Sequence, residues 1–365
     1  MIGPPDPTGE RAASLGHGRF AARMLIAVGI VALALAAWAL SSVLMLVFGA
    51  LIVSTLLRAV AGALERWLRV PPAWAPALAI VAVAALLGLG GWLIGDRLAR
   101  QFADLRAMLP SALGAAERWL DGHALGAQVF DALQRLQDDG MPWSRIAGIA
   151  GSTVSALGST VSALGNIVLV ILMGIYLAID PGLYRRGVLR LVPLRQRQPV
   201  SEALAAAGEG LSRWLMGQGL SMLFVGLATG IGLWALGLPM ALTLGVIAAL
   251  LDFVPLLGPI AAGVLAVLFA FLHGPEQALY VAILCFAIQQ IESYVLMPVL
   301  QRWAVSLPPM LGLVAVVVFG LLFGIAGIVF ATPLIVVLMV LVRKLYVEGV
   351  IERDIDGDGG DGPIG

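Results

Sequence analysis

From Trp214 to Val342 the sequence is almost free of charge; the formally charged side chains there are Asp252, Glu276, Glu292 and Arg302. Glu292 shares a helical face with Gln289 and Ser293 by i+3 and i+4 spacing, with Gln290 and Tyr294 beside it. A carboxylate at the centre of a membrane span costs about 2.5 to 3.5 kcal/mol, against about 0.3 to 0.6 recovered per large apolar residue. Glu292 must therefore face protein or water. It reads as a solute or ion contact, the alternative being a helix-to-helix hydrogen bond. Asp252 opens the run Asp252-Phe253-Val254-Pro255-Leu256-Leu257-Gly258-Pro259. Its two prolines withhold backbone donors and clash with the preceding turn, so the helix must break. Pro259 after Gly258 fits the first position of a new helix, whose leading N–H groups favour an anion or a substrate oxygen. Irregular backbone at membrane depth is tolerated inside protein or along a wet cavity, a frequent place for solute binding. The same pattern also describes a plain turn at the membrane surface, and the sequence leaves both open. The expected path is Asp252, Pro255, Gly258, Pro259, Gln289, Gln290, Glu292 and Ser293.

Other chemistry is denied. Lys344 is the one lysine, preceded by apolar residues and Arg343, so no phosphate-binding glycine loop with its lysine exists. No G-x-S-x-G, H-E-x-x-H or complete G-x-G-x-x-G occurs, and no enzymatic activity is expected. The lone Cys285 excludes a disulfide framework, and His17, His123 and His273 are scattered without thiols; neither metal nor cofactor is expected. The 22 basic and 22 acidic residues cancel, which leaves no electrostatic footprint for nucleic acid. Work on a solute must come from an ion gradient, the solute's own gradient, or a partner.

The elements that would position these residues are membrane helices. Of 365 residues 60% are hydrophobic and 12% charged, with mean hydropathy +0.99; soluble domains run near 45 to 50% and about 25%. Apolar stretches at 73–95, 163–179, 216–236, 240–272, 278–296 and 309–342 meet or approach the roughly 20 residues a span requires. Two shorter ones, 24–40 and 43–57, flank Ser41-Ser42 as a tight helical hairpin. Arg19 and Arg23 before a run ending in Ala37-Trp38-Ala39 imitate a signal peptide, but the second apolar segment follows at once, which favours an uncleaved span. The expected fold is all-α, a polytopic membrane protein of about eight transmembrane helices with broken helices and an external helical insertion.

Arginines in the N-terminal tail (1–23), after the second span (Arg58, Arg66, Arg69) and in the loop 180–215 place these segments, and both termini, on the cytoplasmic side. The expected order is three spans in 24–95, an external segment at 96–150, a small-residue lead-in and fourth span at 151–179, the inner linker at 180–215, and the remaining spans at 216–345. A disordered acidic tail fills 346–365; its Asp354, Asp356, Asp358 and Gly359 begin a calcium-loop pattern that lacks the closing Glu. In the external segment Leu98, Phe102, Leu105 and Leu109 recur at helical spacing, as do Leu125, Val129, Leu133 and Leu136, which predicts packed amphipathic helices. The repeat Gly-Ser-Thr-Val-Ser-Ala-Leu at 151–157 and 158–164 predicts a smooth helix leading into the fourth span. Asp180-Pro181-Gly182 marks a turn, and the arginine-rich stretch after it reads as a topology determinant, with binding of anionic headgroups as the lesser reading. In 309–342, Gly320, Gly324 and Gly327 predict close helix packing, and Pro333 a kink or split.

The ordered set Asp180-Pro181-Gly182, Arg213 to Gly217-Gln218, Gly237-Leu238-Pro239, Asp252 to Pro259, Gln289-Gln290-Ile291-Glu292, Leu296-Met297-Pro298, and Ser306-Leu307-Pro308-Pro309 leading to Gly320, Gly324, Gly327 and Ala331-Thr332-Pro333 resembles the autoinducer-2 exporter (AI-2E, PerM-like permease) family of bacterial transporters, over about residues 20 to 345. The resemblance implies about eight spans in a bacterial cytoplasmic membrane and oligomeric assembly. It implies either export of a small signalling molecule or exchange of sodium or potassium for protons. The favoured expectation is gradient-driven or facilitated export of a small polar organic solute. The alternatives are cation/proton antiport through Asp252 and Glu292, and an oligomeric scaffold or passive pore. The expected partners are the lipid bilayer, a small-molecule or ion substrate, and further copies of the chain.

Overall fold

A computed structural model describes residues 24, 39–121, 160–255, 257–301 and 308–351. Most of the stretch 24–40, the second amphipathic pattern around Leu125 to Leu136, the first copy of the heptapeptide repeat, Arg302 and the tail from 352 lie outside the described residues. Within them every regular element is helical: α1 (Ser41–Leu68), α2 (Ala75–Asp121), α3 (Thr160–Ile179), α4 (Pro181–Arg190), α5 (Arg197–Ala235), α6 (Ala241–Leu251), α7 (Leu257–Ala270), α8 (Pro275–Ile291), α9 (Met297–Gln301) and α10 (Pro309–Val342), with short 3-10 and π turns between some of them.

Five of the described helical segments are long and apolar enough to cross a membrane, and six if the bent pair α3 and α4 counts as one. This is a multi-pass α-helical membrane protein. The count falls below the expected eight because 24–40 is mostly undescribed and because 240–272 is not a span, and it takes in α10 by length and composition only, although that helix breaks at Gly324. That stretch is two helices of 11 and 14 residues, about 17 and 21 Å long at 1.5 Å per residue, each short of a bilayer core of about 30 Å.

Helix boundaries also outrun the hydropathy. α2 carries a membrane-length stretch and the first amphipathic pattern in one helix of 47 residues, so position 96 is no break in the chain. Its second half adds Leu105 and Leu109 to the apolar cluster that holds Leu244, Phe269 and Ala270, while Phe102 is exposed. α5 likewise fuses most of the expected inner linker to a span in 39 residues. α3 ends at Asp180, whose carboxylate accepts from the Leu183 N–H at 2.9 Å and caps α4, and the chain turns by 87° there.

Two helical hairpins organise the second half. At the first, α7 folds back on α6 so closely that a Cβ on Gly258 would lie 1.9 Å from the Leu251 carbonyl oxygen. At the second, α10 doubles back on itself at Gly324, whose φ of 65° and ψ of −144° suit only glycine. Phe319 and Gly327 would be about 12 Å apart along a straight helix, yet a Cβ on Gly327 would lie 1.9 Å from the Phe319 carbonyl oxygen. The limbs 309–323 and 325–342 are therefore separate helices. The second limb brings Phe330, Leu334 and Val336 onto Phe48 and Ile52 of α1 and Leu211, Trp214 and Leu215 of α5, with Phe253 of the first hairpin completing that core.

Candidate functional site

Three elements bring polar side chains to one buried point. α5 supplies Gln218 and Ser221, one helical turn apart; the tip of the α6–α7 hairpin supplies Asp252; the end of α8 supplies Gln289 and Glu292. Asp252 is 1% and Glu292 5% exposed, and Gln218 and Ser221 are equally buried.

Asp252 caps α6, whose last carbonyls have no intrahelical partner. Gln218 supplies one, its Nε2 donating to the Asp252 carbonyl oxygen at 2.6 Å and lying 3.5 Å from Oδ2. Ser221 Oγ donates to Glu292 Oε1 at 2.9 Å. Gln289 Nε2 donates to Glu292 Oε2 at 3.2 Å. The two carboxyl groups are close enough to act on each other electrostatically, and among the described residues neither has a salt-bridge partner. Phe253, next to Asp252, meets Trp214 edge-on at 5.9 Å and fixes the tip against α5.

A local helix defect begins at Glu292. Residues Glu292–Leu296 form a π turn between α8 and α9, and Pro298, with no N–H to give, follows within the next turn. π turns of this kind widen the helix and are frequent at functional sites.

The sequence-derived path residues divide. Asp252, Gln289 and Glu292 meet in the cluster. Pro255 lies in the hairpin turn, accepting from the Leu257 N–H at 2.9 Å, and Gly258 is the point where the limbs touch. Pro259 is not the first residue of the new helix: α7 begins at Leu257, and its first two amides are taken by the Pro255 and Val254 carbonyls. The expected free N–H groups for an anion are therefore used by the turn itself. Gln290 is half-buried beside the cluster. Ser293 is exposed, contrary to the shared face expected with Glu292: adjacent residues on a helix point about 100° apart, so with Glu292 turned inward its neighbour turns outward. Gly320 and Gly327 sit at the α10 fold-back, Gly324 forms it, and Pro333 is fully buried inside the second limb. Gln218 and Ser221 were not singled out as site residues; the usable signal was a polar i, i+3 pair in an apolar span, the same spacing as Gln289 and Glu292.

Among the described residues no group of three or more His, Cys, Asp or Glu could hold a metal ion. An open groove of about 410 Å³ runs between α5 and α6, and its lining, including the exposed Leu223, Leu227, Ile231 and Trp234, is apolar. That lining suits a hydrocarbon chain.

The chain is 31% identical over 166 residues to YrrI of Bacillus subtilis, named as a transport protein, covering 46% of this chain and 47% of that one. It is 26% identical over 272 residues to MT0215 of Mycobacterium tuberculosis, also named as a transport protein, covering 69% and 71%, and 29% identical over 197 residues to the permease PerM of Escherichia coli, covering 52% and 53%. It thus spans about half the length of YrrI and PerM. These similarities are to transport proteins and fit a chain with no enzymatic role. The model for AI-2E family transporters matches residues 27–346, and the chain, a multi-pass membrane protein, belongs to the AI-2E (PerM-like) transporter family.

Proposed function

We propose that this transporter moves a small polar organic solute, of the class of a bacterial signalling molecule, past the Asp252–Glu292 cluster by facilitated or gradient-driven export through a bacterial cytoplasmic membrane. One observation carries the reading: a hairpin too short to cross delivers a buried aspartate to a buried glutamate deep within the helical bundle. Gln277 Nε2 donates to the Leu236 carbonyl oxygen at 2.5 Å and levels the start of α8 with the end of α5. From that level Ser221 and Glu292 each lie 15 residues, about 22 Å, along their helices, past the middle of a core of about 30 Å. The tip of an 11-residue α6 reaches about 17 Å. Depths of this order support a polar point within the hydrocarbon layer, toward its cytoplasmic side.

The surrounding topology supports an alternating-access reading. α5 is followed by the α6–α7 hairpin, and α8 by the folded-back α10. With 24–40 as the first crossing and arginine-rich loops inside, α5 runs outward and its hairpin enters from outside, while α8 runs inward and its hairpin enters from inside. The eight apolar stretches then comprise six full crossings and two opposed hairpins, with both termini cytoplasmic. Opposed broken elements around a central polar site are a recurrent transporter plan. Assembly into a homo-oligomer belongs to the same reading; exposed Leu86, Leu87 and Trp92 on α2 offer a surface for it.

Cation/proton antiport is the second reading, favoured by the two carboxyls without a basic partner. Ser221 has one proton to donate and serves Glu292 with it. Two ionised carboxylates across that hydroxyl would be uncompensated in low dielectric, so a proton or a monovalent cation must accompany the pair. Efflux from proteoliposomes loaded with a panel of labelled polar metabolites, run beside a pH-sensitive dye with sodium or potassium added, separates the readings. Metabolite efflux without dye response supports export; dye response alone supports antiport; neither removes both.

A further inference from the structure

α4 does not continue the membrane span it follows. The chain leaves α3 through an 87° turn, and Arg58 of α1 donates to the Ala178 carbonyl at 3.4 Å, holding the elbow against the neighbouring helix. A helix at right angles to a membrane span, starting where that span ends, runs along the bilayer surface. α4 and the residues after it have the composition for that position. Leu183, Tyr184, Val188 and Leu191 fall within one arc of about 140° on a helical projection, and all are exposed, Leu191 at 87%; Leu194, just beyond, is 78% exposed. Arg185 lies on one flank of this arc and Arg186 and Arg190 on the other, with Arg195 and Arg197 following.

The positive charge is largely uncompensated. Arg186 is 3.9 Å from the exposed Asp180 carboxylate, whose other oxygen caps the helix. Arg185 is bonded to Ser201 on α5, and Arg197 to the Val192 carbonyl at 3.0 Å. Glu202, an acid close by in sequence, accepts from Gln198 at 3.1 Å. An exposed apolar arc edged by arginines suits a helix lying in the interface, apolar side in the acyl boundary and guanidinium groups among the headgroups.

We propose that α4 and the turn after it, residues 181–197, form an interfacial foot that binds anionic phospholipid headgroups of the leaflet at which α3 ends, through Arg186, Arg190 and Arg195. The phosphodiester is bound by paired N–H donors, and Leu183, Val188, Leu191 and Leu194 enter the acyl boundary beneath it. The charge explains why the occupant is a lipid surface and not an apolar protein face: burying three arginines against a second copy would leave them without counterions.

The lone Cys285 makes the test direct. In a Cys285→Ala background, single cysteines at Leu183, Val188, Leu191 and, as an aqueous control, Glu202 are spin-labelled in the full chain reconstituted into phosphatidylcholine vesicles with increasing phosphatidylglycerol. The first three labels are expected to be reached by oxygen and shielded from a water-soluble nickel reagent, with Glu202→Cys the reverse. At about fivefold per arginine at an anionic surface, R186Q/R190Q/R195Q should lose on the order of 100-fold in affinity for phosphatidylglycerol, so that its shielding no longer rises across the series, while R186K/R190K/R195K should retain most of the response and report a sound fold. Nickel access at all four positions overturns the proposal. So does dipolar broadening between labels, which would put a second copy on this face, and so does shielding indifferent to phosphatidylglycerol.

Discussion

The Ser221 hydroxyl donates to Glu292 Oε1 at 2.9 Å across 71 residues of sequence, and this one bond joins the two long helices that carry the polar cluster. Ser221→Ala removes the only hydroxyl there. The net worth of a hydrogen bond to a charged group is about 1.5 to 3 kcal/mol, and thermal unfolding in detergent should show a loss in that range. Ser221→Thr, which keeps the hydroxyl, should recover part of it.

Gly258→Ala and Gly327→Ala should each destabilise by about 3 kcal/mol or more, because the added carbon would sit 1.9 Å from a backbone carbonyl oxygen that cannot move aside. Gly88→Ala, with nothing within 4 Å, should instead be neutral or gain up to about 1 kcal/mol of helix propensity. Melting curves of the three variants side by side test whether both hairpins are as tight as described.

Gly324→Ala separates fold-back from simple close packing. The position has open space around it but φ of 65°, so its cost of about 1 to 3 kcal/mol comes from backbone strain alone. A straight α10 would place Phe319 and Gly327 about 12 Å apart. A cysteine pair at Gly320 and Ile328, equally eight residues apart and facing each other across the fold-back, should therefore bridge in an otherwise wild-type background and lose yield in Gly324→Ala.

Phe253→Ala removes the edge-on contact with Trp214 that seats the hairpin tip. The expected cost is about 3 kcal/mol, together with reduced flux, since Asp252 would no longer be held against Gln218. Phe253→Leu should retain much of the stability, and comparing flux at equal folded protein isolates the positional effect.

Much of this site was legible because charge in an apolar run is expensive: Asp252 and Glu292 stand out at once, and two prolines announce the first hairpin. Gln218 and Ser221 escaped because uncharged polar residues in a span are cheap enough to be common. Ser293 turns outward because i+3 and i+4 positions flank Gln289 on opposite sides, and the helix turns the Glu292 side inward. The second hairpin was hidden for a related reason: Gly320-x-x-x-Gly324 has the spacing of a helix-packing motif, and only the backbone angle at Gly324 tells a fold-back from a contact. The lengths of α2 and α5 were missed because hydropathy changes at the membrane surface while the helix-forming residues Ala, Leu, Arg and Glu continue past it.

The account rests on Asp252 and Glu292 serving transport at membrane depth. Its most direct test is solute flux in proteoliposomes for Glu292→Gln, Asp252→Asn and the double variant, each normalised to folded protein by its melting curve. Both single variants keep the shape and lose the charge, so flux should fall at least about tenfold, equivalent to about 1.4 kcal/mol on the transport barrier. The double variant should be little worse than either, as for residues acting as a unit. Wild-type flux in all three would contradict the account and leave the cluster as a hydrogen-bonded brace between helices.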